Sequence, residues 1–282
     1  MGSVSADELN LWSRYISTIC GIQLDSSKGY LIETRLAPLL PDTGSSSFAD
    51  LYNKAKADPT NRIRRKIIDA ITTQETSFFR DTSPFELIRH KILPDLIDKR
   101  SKTSANGRVI PVRIWSAACS TGQEVYSISI AVKEVLVDLS RYDVRILGTD
   151  ISDKAVAHAS YGHYSKLEME RGMALDKAAK HFVPEGQTWK IRDEIRAMAT
   201  FRTMNLLEPF ALPGKFDIIL CRNVAIYFSE QDKIRLFKSI ARVMASDGYL
   251  IIGSTESITG LCQEFEAKRY LRAVFYQLRN EG

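Results

Sequence analysis

The feature that most constrains the fold is an alternation that begins near residue 108. Apolar, β-rich runs, "VIPVRIWSA", "DVRILGTD", "FDIILCRN", "GYLIIGST" and "AVFYQL", with a weaker "ATFRTMN", alternate with "GQEVYSISIAVKEVLVDL", "SDKAVAHASYG" and "SEQDKIRLFKSIARVMAS", each with an apolar face at helical period. Strands joined through helices run parallel, so the pattern predicts a mostly parallel sheet with helices on both faces. Sheets of this kind bind ligands beyond the carboxyl ends of their strands.

Ahead of residue 108 no alternating pattern appears, and the chain reads as helical. In "ADELNLWSRYISTICG", Leu9, Trp12, Ile16 and Ile19 fall at helical spacing and Gly21 is a stop. "SSKGYLIETRLAPLL" predicts a second helix broken near Pro38 and Pro41. After the polar loop PDTGSSS come helices in "SFADLYNKAKAD" and "DPTNRIRRKIIDAITTQE". Residues 162–200 interrupt the later alternation with more polar text, "YGHYSKLEMERGMALDKAAKHFV" and "TWKIRDEIRAMATFR". The latter predicts a short antiparallel hairpin around Arg192 to Glu194, within a small inserted subdomain.

Composition narrows the function classes. A chain of 282 residues, 44% hydrophobic, has room for two domains. Its start, MGSVSADELNLW, lacks a basic segment followed by an apolar one, and no stretch approaches about 20 uninterrupted apolar residues. Neither secretion nor membrane spanning is expected, and cytoplasm is the default. Cys20, Cys119, Cys221 and Cys262 are far apart, and His90, His158, His163 and His181 show no ligand spacing, so no disulfide and no metal are expected. The net charge of +5 is spread along the chain, which argues against a nucleic-acid binder. One dense run, "RIRRK" (Arg62, Ile63, Arg64, Arg65, Lys66), is either a docking face for an acidic partner or a solvated helix face.

Chemistry-bearing residues cluster at the predicted strand ends. "SAACSTGQE" is a small-residue turn between a strand and a helix starting near Gln123, without the GxGxxG fingerprint. The next strand ends in Asp150, 28 residues past Gly122, where an acid can accept hydrogen bonds from ribose hydroxyls; Ser152 or Asp153 can serve as helix cap instead. Asn205 follows "ATFRTMN", and "FDIILCRNVAIYF" stops in Arg222 and Asn223 with Tyr227 beyond. Polar groups at such a strand end need partners. In "TTQETSFFRD", Phe78 and Phe79 are expected core anchors. Arg80 either pairs with Asp81 or Glu86 or is placed to hold a carboxylate.

These pieces, in this order, resemble the chemotaxis receptor glutamate methyltransferases, the CheR family. The matching stretches are "TTQETSFFRD", "IWSAACSTGQEVYSISI", "LGTDIS", "MNLL", "FDIILCRNVAIYF" and "GYLIIGSTESI". The resemblance implies an α/β fold: a Rossmann-like S-adenosylmethionine-dependent methyltransferase domain with a small antiparallel β insert, preceded by an all-α N-terminal domain. The expected division is a helical domain at 1–75, a linker and active-site segment at 76–90, and the methyltransferase domain at 91–282 with its insert at about 162–200. The implied activity is methylation of glutamate side chains on the cytoplasmic helices of chemoreceptors, yielding methyl esters and S-adenosylhomocysteine.

By the same resemblance, Gln74, Thr76, Arg80, Glu124, Asp150, Asn205, Leu206, Arg222 and Asn223 contact the cofactor, and Arg80 and Tyr227 line the methyl-transfer site. The insert can dock a receptor C-terminal peptide, and Arg62, Arg64, Arg65 and Lys66 face the receptor. No nucleic acid, metal or membrane insertion is implied, and a monomer is expected. The sequence departs from the family pattern at Gln74, Ser77, "TGQEVYS" and "GSTES". Those changes keep one rival in view, a non-catalytic protein of the same fold that binds S-adenosylmethionine or S-adenosylhomocysteine as a signal.

Overall fold

The computed structural model describes residues 4–24, 28–103 and 109–279. Five helices come first: α1 (Ala6–Cys20), α2 (Gly29–Leu36), α3 (Leu39–Asp42), α4 (Phe48–Ala57) and α5 (Arg62–Ile71). Ser26 and Ser27, with which the second helix was expected to open, lie outside the described residues. Helix α1 starts with a capping box between Ser5 and Glu8. Its apolar stripe of Trp12, Ile16 and Ile19 packs on Ile32, Leu36, Leu51, Ile67 and Ile71 to form a separate core.

Helix α6 (Ser83–Leu87) continues through one π-helical turn, Ile88–Ile92, into α7 (Leu93–Thr103). The α/β part then alternates: β1 (Ile110–Ala117), α8 (Gln123–Val135), β2 (Tyr142–Asp150), α9 (Asp153–Tyr161) and, after the insert, β6 (Ala199–Thr203), β7 (Phe216–Cys221), α13 (Glu230–Val243), β8 (Met244–Ile252), β9 (Phe265–Tyr270) and β10 (Ala273–Leu278). The seven strands lie in the order β6-β2-β1-β7-β8-β10-β9. The first five run parallel, while β10 is antiparallel to β8 and β9 to β10. Successive side chains of a strand point to opposite faces. Val112 and Ile114 therefore join Ile218 and Leu220 in one core, while Trp115 and Ala117 join Ile219 and Cys221 in the other. A strand covered on both faces reads as an unbroken apolar run, and all six residues of β7 are buried.

The insert holds β3 (His163–Ser165), α10 (Lys166–Glu170), α11 (Leu175–His181), β4 (Phe182–Glu185), β5 (Thr188–Ile191) and α12 (Asp193–Arg196), with a three-stranded sheet in the order β3-β5-β4. The hairpin turns at Gly186, in the left-handed region at φ +62, and not around Arg192 to Glu194 as the sequence suggested. There Arg192 precedes α12, and Asp193 and Glu194 occupy its first turn, where acids suit the helix dipole. Strand β9 went unpredicted because, as an edge strand, it buries only Phe265 in a run of otherwise polar or small residues. The insert is fastened by Phe78, Tyr126, Tyr164, Phe182 and Ile191, which form a core of their own.

Candidate active site

Strand order reverses on either side of β1, with β2 on one flank and β7 on the other, so a crevice opens above their carboxyl ends. The pocket there is walled by Ala118, Cys119 and Ser120 of the turn after β1, by Glu124, and by Asp150 at the end of β2. Met204, Asn205 and Leu206 after β6, and Arg222, Asn223, Val224, Tyr227 and Phe228 after β7, continue the wall. Gln74, Thr76 and Arg80 close it from the linker. All ten residues expected to contact the cofactor or line the transfer site therefore meet in one cavity, while Ser77 is not among its walls.

Each polar group is held by a specific partner. Asp150 is buried, and its two carboxylate oxygens accept from the backbone N–H groups of Ser120 (2.8 Å) and Ser152 (3.0 Å). Burial pushes its carboxyl above the usual value, and those donors only partly offset it. The cap of α9 is Ser152. Ser120 Oγ donates to Gln74 Oε1 at 2.9 Å and Gln74 Nε2 to Thr72 Oγ1 at 2.9 Å, so Gln74 ties the linker to the turn. Burial, reinforced by Asp150 and Glu124, raises the Cys119 thiol well above its ordinary value.

Arg222 explains why an apolar strand ends in a charge. Its side chain is 2% exposed, with Nη1 donating to Glu124 Oε2 at 2.7 Å and Nη2 to Asp81 Oδ2 and the Arg80 carbonyl, each at 2.9 Å. Ser116 Oγ donates to the other Glu124 oxygen at 2.7 Å. A buried guanidinium shared between two carboxylates in this way joins β7, α8 and the linker. Arg80 itself pairs with neither Asp81 nor Glu86; its Nη1 donates to the Glu75 carbonyl at 2.9 Å.

Strain gathers around the same cavity. Of the seven non-glycine residues with positive φ among those described, Ala118, Ser120 and Asn223 line it, and Phe79 and Asp81 flank Arg80. Clusters of this kind mark sites where surrounding structure enforces a costly backbone.

Two features were missed from sequence. The helical half supplies a whole wall, with Cys20, Ile22, Gln23, Leu24, Lys28, Leu31 and Arg35. It is bonded across the seam by Gln23 N–H to the Tyr227 carbonyl (3.1 Å) and by Asn205 Nδ2 to the Ile19 carbonyl (3.2 Å). Gly21 is the close contact, because a Cβ there would lie 2.1 Å from Leu207 Cδ1. That glycine, read as a helix stop, was the available signal. Second, the basic run is largely engaged within the chain: Arg64 with Glu208 (3.1 Å), Arg65 with Asp153 (3.9 Å) and Lys66 with Asp42 (2.6 Å). Arg62 is exposed. The first two pairs pin α5 to the α/β half.

The strand order and the pocket define a Rossmann-like methyltransferase, and its residues fit S-adenosylmethionine. Glu75, Glu124 and Asp150 put carboxylates on the pocket lining, and Arg222 keeps a buried Nε with no hydrogen-bond partner among the described residues. Gly122 admits a tight turn where a Cβ would lie 2.8 Å from that of Ala159. The family model described as "CheR methyltransferase, SAM binding domain" matches residues 74–273, and "CheR methyltransferase, all-alpha domain" matches 7–72. The chain belongs to the CheR methyltransferase family. It is 37% identical to a chemotaxis protein methyltransferase of Vibrio parahaemolyticus, covering 98% of both chains. It is 35% identical to chemotaxis protein methyltransferase 1 of Pseudomonas aeruginosa, over 99% of this chain and all of that one, and 35% identical to a Pseudomonas putida relative over 94% and 95%. No helix among the described residues is long and apolar enough to cross a membrane.

Proposed function

We propose that this protein transfers the methyl group of S-adenosylmethionine to glutamate carboxylates on the cytoplasmic helices of chemoreceptors, acting as a cytoplasmic monomer. The convergence of Glu124, Asp150, Arg222, Arg80 and Tyr227 on one pocket carries this reading. Nothing in the pocket or among the relatives favours a non-catalytic role. In functional terms the chain would divide into a receptor-facing helical part at 1–75, a linker at 76–90 and a methyltransferase part at 91–282, whose insert at about 162–200 would take a receptor C-terminal peptide.

When bound, S-adenosylmethionine supplies an electrophilic methyl group on a sulfonium. Asp150 takes the ribose hydroxyls, while Glu124, with Arg222 beside it, faces the amino-acid end; Gln74, Thr76, Asn205, Leu206 and Asn223 complete the walls. A glutamate side chain, with ordinary pKa about 4.3, is already an anion at neutral pH, so no residue has to remove a proton. The task left to the chain is alignment. Arg80 is anchored through one nitrogen to Glu75 and presents its remaining donors to the substrate carboxylate. Tyr227, 38% exposed, lines the pocket and has its carbonyl held by Gln23 N–H, and its hydroxyl would meet the reacting groups there. Arg62, Arg64, Arg65 and Lys66 form the receptor-facing charge, with Arg62 contributing most because the others are engaged internally.

Transfer of labelled methyl from the cofactor to receptor cytoplasmic fragments tests the reading. Base-labile label on glutamate is the expected result, and cofactor binding without transfer would overturn it.

A further inference from the structure

The segment "GSTES" after β8 is engaged in nothing described so far, yet it reaches the catalytic loop. Glu256 Oε2 accepts from the backbone N–H of Asn223 at 2.7 Å and of Gly253 at 2.8 Å, and Oε1 accepts from that of Ile226 at 3.2 Å. Gly253 makes room for this: a Cβ there would lie 2.4 Å from Glu256 Oε2 and 3.1 Å from the Asn223 nitrogen. Beyond Glu256, the loop is held by the buried Ala225 and by Gln23 N–H on the Tyr227 carbonyl, while its other residues are irregular or exposed. Asn223 has φ +57, Ala225–Tyr227 is a single 3-10 turn, and Ile226 and Tyr227 are 49% and 38% exposed. Three N–H groups converging on one carboxylate are charge-assisted bonds, stronger than neutral ones, and they fix the backbone from which Asn223 and Tyr227 project.

We propose that Glu256 is a positioning residue for methyl transfer: it clamps residues 223–227 so that Tyr227 meets the reacting groups, without itself touching cofactor or substrate. This rests on the transfer activity proposed above. Glu256→Gln offers one oxygen where two now accept, and its amide group would face an N–H donor. Gly253→Ala disturbs the same clamp from the other side and serves as a second variant should the first fold poorly.

The full-length protein is assayed with S-adenosylmethionine and a receptor fragment, alongside hydrogen exchange of the 223–227 amides. Expected are faster exchange at Asn223 and Ile226, and a kcat about two- to tenfold lower, no more than Tyr227→Phe itself loses, with KM for the receptor fragment little changed. In the Tyr227→Phe background the further loss shrinks, because the two residues act as a unit. Unchanged exchange, an unchanged kcat, or losses that simply multiply would each overturn the proposal. Should the wild type transfer no methyl, the activity reading fails instead, and the exchange data alone decide whether Glu256 clamps the loop.

Discussion

Asp150→Asn is the substitution for which the structure separates binding from stability. Burial raises the Asp150 carboxyl above its ordinary value, so the folded protein holds that proton more tightly than the unfolded chain does. The associated stability is present below the ordinary aspartate value and is lost as pH rises through the raised one, which makes the ionised side chain a burden on the fold at neutral pH. Asparagine removes that burden. Against this, it offers one acceptor to the two N–H donors of Ser120 and Ser152, and an N–H left unpaired costs about 1–3 kcal/mol. The two effects oppose, so the melting temperature should move little.

Cofactor affinity has no such compensation. Losing a charged acceptor forfeits about 1.5–3 kcal/mol, a roughly ten- to 150-fold weaker Kd. Isothermal titration with S-adenosylmethionine and S-adenosylhomocysteine at neutral pH, beside a thermal melt of the free protein, measures both. An unchanged Kd would refute the role given to Asp150. A weaker Kd accompanied by a large fall in melting temperature would refute the claim that the loss is local.

Further outcomes are expected. Arg80→Ala should lower kcat about a hundredfold, as expected for a lost alignment contact, with a smaller loss of titrated cofactor affinity, and Tyr227→Phe about two- to tenfold, as for a lost hydrogen bond, with cofactor affinity retained. Charge reversal at Arg62 and Arg65 should weaken receptor methylation more at low salt than at high, while costing under about 1 kcal/mol in chemical denaturation because the Arg65–Asp153 pair is half-exposed. Gly172→Ala, at φ +92 with a Cβ 1.9 Å from the Phe78 carbonyl oxygen, should destabilise by about 2–4 kcal/mol in a denaturant titration. His181 is buried, and its ring nitrogens make no hydrogen bond among the described residues, Nε2 lying 3.8 Å from Glu134 Oε1. Burial lowers its pKa despite Glu134, and Lys180, Lys133 and Lys177 add to the effect. Stability should therefore fall as pH drops below about 6.5, and His181→Gln should flatten that slope in melts recorded across pH.

How much of this was legible in the sequence depends on whether a residue's neighbours lie along the chain or across the fold. The buried strands announced themselves because both faces of β1 and β7 are covered, and the acids and amides at their ends stood out against that apolar text. Edge strand β9 and the Gly186 hairpin did not, since a strand with one poor face and a turn set by a single backbone torsion leave little periodicity to detect. The carboxyl-end chemistry of Asp150, Arg222 and Asn223 was likewise visible, whereas what each side chain touches was not. Arg222 bonds residues 98 and 141 positions away, and the ties of the "RIRRK" run to Glu208 and Asp153 cross the seam. The helical wall of the pocket was hidden for the same reason, because Lys28 and Arg35 look like ordinary helix-surface cations until the fold brings them to the cavity that Asp150 also lines.

The seam itself has a mechanical consequence. Because the cavity is half built by Ile22, Leu24 and Leu31 and half by the strand ends, whatever fills it touches both halves at once and acts as a tie rod between them. At a hundred times its Kd a ligand that binds only the docked arrangement favours it by about 2.7 kcal/mol. Loading should then rigidify the connecting segment at residues 72–76 as well as the pocket, and a fragment cut within that segment would surrender its grip without losing a single residue of the sheet.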